Sequence, residues 1–339
     1  MKKYDVIIAG ASFAGLSVAS RIDKGKVLLI DKNEIGAQQT SACCTSVSIL
    51  KEIGCEDSIL RIFDAAALHI KNRKIDISLL EKYCTFDYRK FCKMFARQNR
   101  AEFLKANIKA VEDSVIVTDR GGFAADIIVD CTGWRTILAS SLNKDYLNKE
   151  MLSFGIETEL PYKDDKLRFF ADPEIIRNGI AWLFPCGETA RFGIGSYSGY
   201  TKLLPVLKRF VGRYGLKIGK IHGDHFCYCL KKPVIKNLFL VGCAAGQTLP
   251  LSGEGIKRSI RFGLDCGEII QKIVDGVLSF EQGAKRYERL ALSKEKYYNY
   301  LLKIQYRLSD LLGWKLNLAA RFFNMKLVRE WVWGKYSSI

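Results

Sequence analysis

The chain has 339 residues, of which 48% are hydrophobic, 12% aromatic and 26% charged, with only 6 Pro and 28 Gly. This composition excludes a mainly disordered, collagenous or low-complexity chain, and the length predicts one large or two intergrown domains with ample buried surface. A formal net charge of +17 favours phosphate-bearing ligands, but the Lys and Arg are dispersed without zinc-finger spacing or an RNA-recognition motif, so nucleic acid is not an expected partner.

The N-terminal Met1-Lys2-Lys3 followed by Val6 to Ala9 imitates a signal peptide. Asp5 interrupts it and a glycine motif replaces the small-residue cleavage site, so the segment is read as mature sequence and the protein as cytoplasmic. No apolar stretch approaches the ~20 residues that span a bilayer.

Tyr4 to Ala9 is a β-branched apolar run of strand length. Gly10-Ala11-Ser12-Phe13-Ala14-Gly15 follows, then a helix-like Leu16 to Ile22, then a second apolar run from Lys26 to Ile30 that ends in Asp31. This order of strand, glycine turn, helix, strand and acid is that of a dinucleotide-binding unit. Gly10 permits the tight turn, a small residue at Ser12 lets the backbone approach a pyrophosphate, and Gly15 lets helix and strand pack closely. The helix N-terminus offers free N–H groups to the phosphates, and Asp31 can accept from a ribose while repelling a 2′-phosphate. Ser12 replaces the usual middle glycine but remains small, and its hydroxyl can donate to a phosphate. NAD and FAD both fit this unit.

Further along, Asp126 to Gly133 reads as another buried strand ending in a small-residue turn. Short alternating runs such as Leu152 to Glu157 and Arg191 to Tyr197 predict antiparallel strands. His222, His225, Cys227 and Cys229 invite a zinc assignment, but the alternation around them predicts a strand. There, positions 225 and 229 lie about 13 Å apart, too far to share one tetrahedral ion, so no metal is expected. Asn237 to Val241 is a strand entering Gly242-Cys243-Ala244-Ala245-Gly246, and residues 254 to 275 carry helical periodicity. From Lys294 onward nine Lys/Arg face three Asp/Glu among aromatic and leucine positions that end in Trp331-Val332-Trp333. Such helices either close over the substrate region or lie on an anionic membrane surface. The eleven cysteines, without a CxxC pair, are expected to be thiols.

Three separated pieces, GASFAG with Asp31, VDCTG, and VGCAAGQTLPLSGEGI, match in order the nucleotide fingerprint, the central strand turn and the second flavin motif of FAD-dependent oxidoreductases with the glutathione-reductase-type Rossmann fold. The last piece most resembles the geranylgeranyl reductase family, whose usual form is GDAAG, then P, then GEGI. Trp182-Leu183-Phe184-Pro185 followed by Gly193 is similar to that family's YxWxFPxxxxxxxG pattern, with Ile180 where Tyr is usual.

The resemblance implies an α/β protein with a discontinuous FAD-binding domain (1–60, 84–145 and 232–290), an antiparallel-sheet substrate domain (61–83 and 146–231) and a C-terminal helical segment (291–339). It further implies cofactor contacts from Gly10, Ser12, Ala14, Gly15, Asp31, Cys43, Cys44, Ser46, Arg89, Val111, Gly242, Cys243, Gly255 and Ile256. Cys43 or Cys44 is the counterpart of a cysteine that the family places beside the flavin, Cys43 being taken as catalytic, and Val111 would pass the adenine by its backbone. Trp182, Phe184 and Pro185 would edge the substrate cavity. Cys243 replaces the acid of GDAAG, and a thiol is a poor substitute for a carboxylate toward the ribityl chain.

The activity so implied is reduction of C=C bonds in an isoprenoid or prenyl lipid, with NAD(P)H or a ferredoxin-type protein as external reductant and a membrane surface as a further contact. A flavin monooxygenase or halogenase of the same fold is the first rival, although the halogenase pattern WxWxIP would need Trp at Ile180 and Ile at Phe184. A noncatalytic flavin or lipid binder is the second.

Overall fold

The computed structural model describes residues 2–71 and 73–309. In chain order the first elements are β1 (Lys2–Ala9), α1 (Phe13–Ala19), β2 (Val27–Asp31), β3 (Cys44–Ser46), α2 (Val47–Glu52), β4 (Ile59–Ile70), β5 (Arg73–Phe86) and α3 (Tyr88–Ala96). Then come β6 (Glu102–Lys105), β7 (Ile108–Glu112), β8 (Val115–Thr118), β9 (Gly121–Asp130), α4 (Ile137–Leu142), β10 (Leu152–Pro161), β11 (Leu167–Phe170), β12 (Gly179–Pro185) and β13 (Thr189–Ser196). The last are α5 (Leu204–Gly212), β14 (Ile221–Cys227), β15 (Val234–Ile235), β16 (Leu238–Leu240), α6 (Ile256–Val274), α7 (Phe280–Leu292) and α8 (Glu295–Ser309).

Two sheets organise the chain. The first runs β15-β16-β9-β1-β2-β6, with β7 and β8 hairpinned onto β9. Its centre is parallel: β1 lies between β2 and β9, and β16 joins β9 on the far side. Val6, Ile7, Ile8 and Ala9 are wholly buried because a parallel sheet is covered on both faces, which explains the unbroken apolar run that replaces alternation in β1. One cover is the α1–α6 layer with α3 and α7, and the other is built from β7, β8 and α4.

The second sheet runs β14-β10-β13-β12-β11-β4-β5-β3. It is antiparallel except where β11 lies parallel to β4. α5 covers one face through Leu207, Phe210 and Val211, packed on Phe192, Ile194 and Phe170. The opposite face looks toward the first sheet. The fold is therefore α/β with a Rossmann-type parallel layer, a largely antiparallel second sheet and helices after residue 255, as the sequence motifs imply. The tail motif Trp331-Val332-Trp333 lies outside the described residues. Among the described residues, no helix is long and apolar enough to cross a membrane.

Candidate active site

The C-terminal ends of β1, β2 and β9 and the inner face of the second sheet enclose a single large cavity of about 1670 Å³. Ligands of open α/β sheets bind in this position, outside the carboxyl ends of the strands. One end of the cavity is walled by Gly10, Ala11, Ser12, Phe13 and Ala14 together with Asp31. Asp31 accepts from the amides of Ala11 and Asn33, each at 2.8 Å, and so locks the turn after β1 to the end of β2.

The tightness of that turn has a steric cause. A Cβ at Gly10 would stand 2.2 Å from the Cys131 carbonyl oxygen, and one at Gly15 would stand 1.8 Å from the Gly10 oxygen. Neither the crossing of β1 with the VDCTG turn nor the approach of α1 admits a side chain here.

Two helices start at this cavity. α1 begins after Ser12 and α6 after Gly255, and neither has a side-chain cap or an acidic residue in its first turn. Their first amides, with the positive ends of their dipoles, are available to an anionic or electron-rich ligand. Gly255, Ile256 and Ser259 open onto the cavity, as does Cys243. The Cys243 sulfur accepts from the Cys227 amide at 3.0 Å, and burial pushes its thiol up to about 12. At neutral pH it is a neutral group where a carboxylate would be charged.

The middle of the cavity is bounded by Ser41, Ala42 and Cys44, and by Tyr88, whose hydroxyl meets the Ser12 hydroxyl at 3.0 Å. Cys43 is wholly buried with φ 47°, in the left-handed region, so the chain turns its side chain behind the wall and presents Cys44 instead. Burial pushes the Cys43 thiol up to about 12 and the Cys44 thiol well above its ordinary value. Both are thiols rather than thiolates at neutral pH.

Arg191 of β13 fixes this loop. Its guanidinium donates to the carbonyls of Ala42, Cys43 and Phe86 at 3.0 to 3.4 Å, and its Nε donates to Glu159 at 3.0 Å. It is only 3% exposed. A buried cation bonded to three carbonyls holds two separate loops in register, and truncating it would leave those acceptors unpaired.

The far end is apolar, lined by Leu68, Ile75, Ile77, Leu79, Leu167, Phe169, Trp182 and Phe184. Lys296, Tyr297, Tyr300, Leu301 and Ile304 of α8 form part of its roof. Nothing in the local sequence distinguished α8 as a cavity wall from α8 as a surface helix; its packing decides that.

The structure gathers Gly10, Ser12, Ala14, Asp31, Cys44, Cys243, Gly255, Ile256, Trp182 and Phe184 around the one cavity. Gly15, Cys43, Ser46, Gly242 and Pro185 stand behind that wall rather than on it. Arg89 is exposed and its neighbour Tyr88 takes the wall position. The Val111 amide donates to the Ser141 hydroxyl at 3.0 Å on the far cover of the parallel sheet. The cluster considered for zinc is divided: His222 pairs with Glu157, and His225 is wedged between the Trp134 and Phe154 rings. Sequence reasoning missed Tyr88, Glu157, Arg191 and Asp224. Asp224 accepts from the Trp134 indole at 2.7 Å inside the cavity wall.

No protein-family model matches the sequence. The chain is 27% identical over 341 residues to the digeranylgeranylglycerophospholipid reductase of Methanocaldococcus jannaschii, covering 90% of this chain and 86% of the relative. It is 26% identical over 340 residues to the reductase of the same name from Methanococcus vannielii, covering 89% and 85%. Among solved structures, a geranylgeranyl bacteriochlorophyll reductase-like protein from Thermoplasma acidophilum superposes with a TM-score of 0.87 at 20% identity, covering 96% of this chain and 92% of that one. The chain thus has the Rossmann-type fold shared by flavoprotein reductases and monooxygenases, with a large cavity at the carboxyl ends of its parallel strands. Within that fold the chain is similar, over most of its length, to digeranylgeranylglycerophospholipid reductases and to a geranylgeranyl bacteriochlorophyll reductase-like protein.

Proposed function

We propose that the protein saturates C=C bonds in the isoprenoid chains of a prenyl lipid, drawing electrons from FAD. The observation that carries this reading is the two-ended cavity: among the described residues, backbone amides and Asp31 line one end and an aromatic and aliphatic chamber the other end of the same cavity. Polar atoms concentrated at one end suit a dinucleotide, and the apolar end gains about 25 cal/mol for each Å² of hydrocarbon it removes from water.

Gly10, Ser12, Ala14 and Asp31 would hold the adenosine and pyrophosphate side of FAD, and Cys44, Cys243, Gly255 and Ile256 the flavin side. When bound, FAD supplies hydride chemistry. The protein's own part is positional and electrostatic. The α6 N-terminus would stabilise negative charge on the ring system, Trp182 and Phe184 would orient the hydrocarbon, and the α8 roof would exclude water. The external reductant is NAD(P)H or a ferredoxin-type protein. A cytoplasmic protein with contact to the membrane surface fits a lipid substrate and a net charge of +17.

An anaerobic assay tests the reading. Protein reconstituted with FAD and reduced with dithionite is mixed with digeranylgeranylglycerophospholipid in detergent, flavin reoxidation is followed by absorbance, and products are weighed by mass spectrometry. The expected result is reoxidation that depends on lipid, with products heavier by two hydrogens per bond. Reoxidation that requires oxygen and yields hydroxylated or halogenated product would replace this reading with the oxygen-dependent one. Protein that takes up no FAD would leave a lipid carrier.

A further inference from the structure

Strand register assembles a row of side chains across the inner face of the second sheet. Ile75, Leu68, Phe169, Trp182, Gly193, Glu157 and His222 are successive cross-strand partners on β5, β4, β11, β12, β13, β10 and β14. Partners directly opposite each other share a face, and the row is apolar until it reaches Glu157. The absent side chain at Gly193 lets the Trp182 indole lie across β13, since a Cβ there would stand 2.0 Å from Trp182 Cε2. The indole Nε1 thereby donates to Glu157 Oε2 at 2.9 Å, two strands away.

The other carboxyl oxygen, Oε1, lies 2.8 Å from His222 Nε2. Glu157 belongs to the cavity wall, yet its side chain is only 3% exposed. His222, 23% exposed, sits on the terminal strand β14 and outside the cavity wall. The pair spans the edge of the sheet, with the imidazole toward solvent and the carboxyl toward the cavity. Arg191 on β13, and Cys43 and Cys186 from the loops beside it, also interact electrostatically with Glu157.

Resting on the alkene-reductase reading above, we propose that Glu157 is the acid that protonates the substrate and that His222 is the relay that reloads it from solvent. The Glu157 O–H bond breaks as a C–H bond forms at one alkene carbon, while the neighbouring carbon receives hydride, with its two electrons, from the reduced flavin. The alkene is reduced and the flavin oxidised. The carboxylate takes the Nε2 proton of the His222 imidazolium, and the imidazole recovers a proton from water. Trp182 is a positioning residue in this scheme: its indole aims the carboxyl and forms the chamber wall beside it.

The test compares the parent with Glu157→Gln and His222→Asn, each loaded with FAD and reduced. Glu157→Gln is expected to retain the flavin spectrum and parental reoxidation by oxygen but to lose lipid-dependent reoxidation by about 100-fold or more. His222→Asn is expected to complete a first lipid turnover near the parental rate and to slow in later ones. In FAD-free protein, the Trp182 indole ¹H–¹⁵N resonance is expected to move in Glu157→Gln, which reads the hydrogen bond without any catalysis. Lipid-dependent reoxidation within a few-fold of the parent in Glu157→Gln would overturn the proposal, as would an equal loss of flavin retention or of oxygen reactivity. A parent protein that is itself not reoxidised by lipid would defeat the alkene-reductase reading instead.

Discussion

At the scale of single residues, the two adjacent cysteines illustrate how one dihedral angle assigns a role. Cys43 and Cys44 are equivalent in the sequence, and a φ of 47° at Cys43 separates them. The buried Cys43 thiol, pushed up to about 12, has almost no thiolate to react with an alkylating agent at pH 8. Iodoacetamide at pH 8 should therefore leave Cys43 unmodified in the folded protein and label it after urea unfolding, as peptide mass spectrometry would read. Rapid labelling of Cys43 in the folded state would contradict its placement behind the wall. Gly10, Gly15 and Asp31 were legible because their roles are local: turn, close approach and acid lie within one βαβ unit whose spacing follows from backbone geometry. Arg191 was not legible, because its carbonyl partners Ala42, Cys43 and Phe86 lie more than 100 residues away in the chain.

Among elements, β12, β13 and β10 show how a vacancy on one strand becomes a contact between two others. Placing a methyl group at Gly193 forces the Trp182 indole off its floor. Gly193→Ala should cost about 1–3 kcal/mol through overpacking, seen as a lower urea midpoint, and should shift Trp182 fluorescence as the indole loses Glu157. An unchanged midpoint and spectrum would mean that the indole rests elsewhere. The WLFP segment and its following glycine were recognisable as a motif. Their contact with Glu157 was not, since it depends on the register of β10, which lies 25 residues earlier in the chain than Trp182.

For the molecule as a whole, burial decides the acid response. His69 is held below the ordinary imidazole value mainly by burial and then by Arg168 and Lys74; His225 mainly by burial, with Arg135 adding to it against the pull of Asp224. The unfolded chain protonates both near pH 6.5 while the folded chain resists, so protons are drawn to the unfolded state as pH falls. Stability should be fully present above about pH 7 and decline as pH falls through 6.5. Urea midpoints across that range should show the slope, and the double variant His69→Asn with His225→Asn should flatten it. A midpoint in the parent that is level or rises toward pH 5 would refute the assignment.

From its sequence alone the protein already has its glycine turns, its Rossmann strands and its family resemblance, because each rests on contiguous residues whose backbone preferences act over one or two turns. Whether those turns enclose a chamber, which cysteine faces it, which helix roofs it and where an acid meets hydrocarbon were decided only in three dimensions. Each of these depends on register and packing between segments far apart in the chain, and the free energy that selects one register is summed over whole buried faces rather than written at any single position.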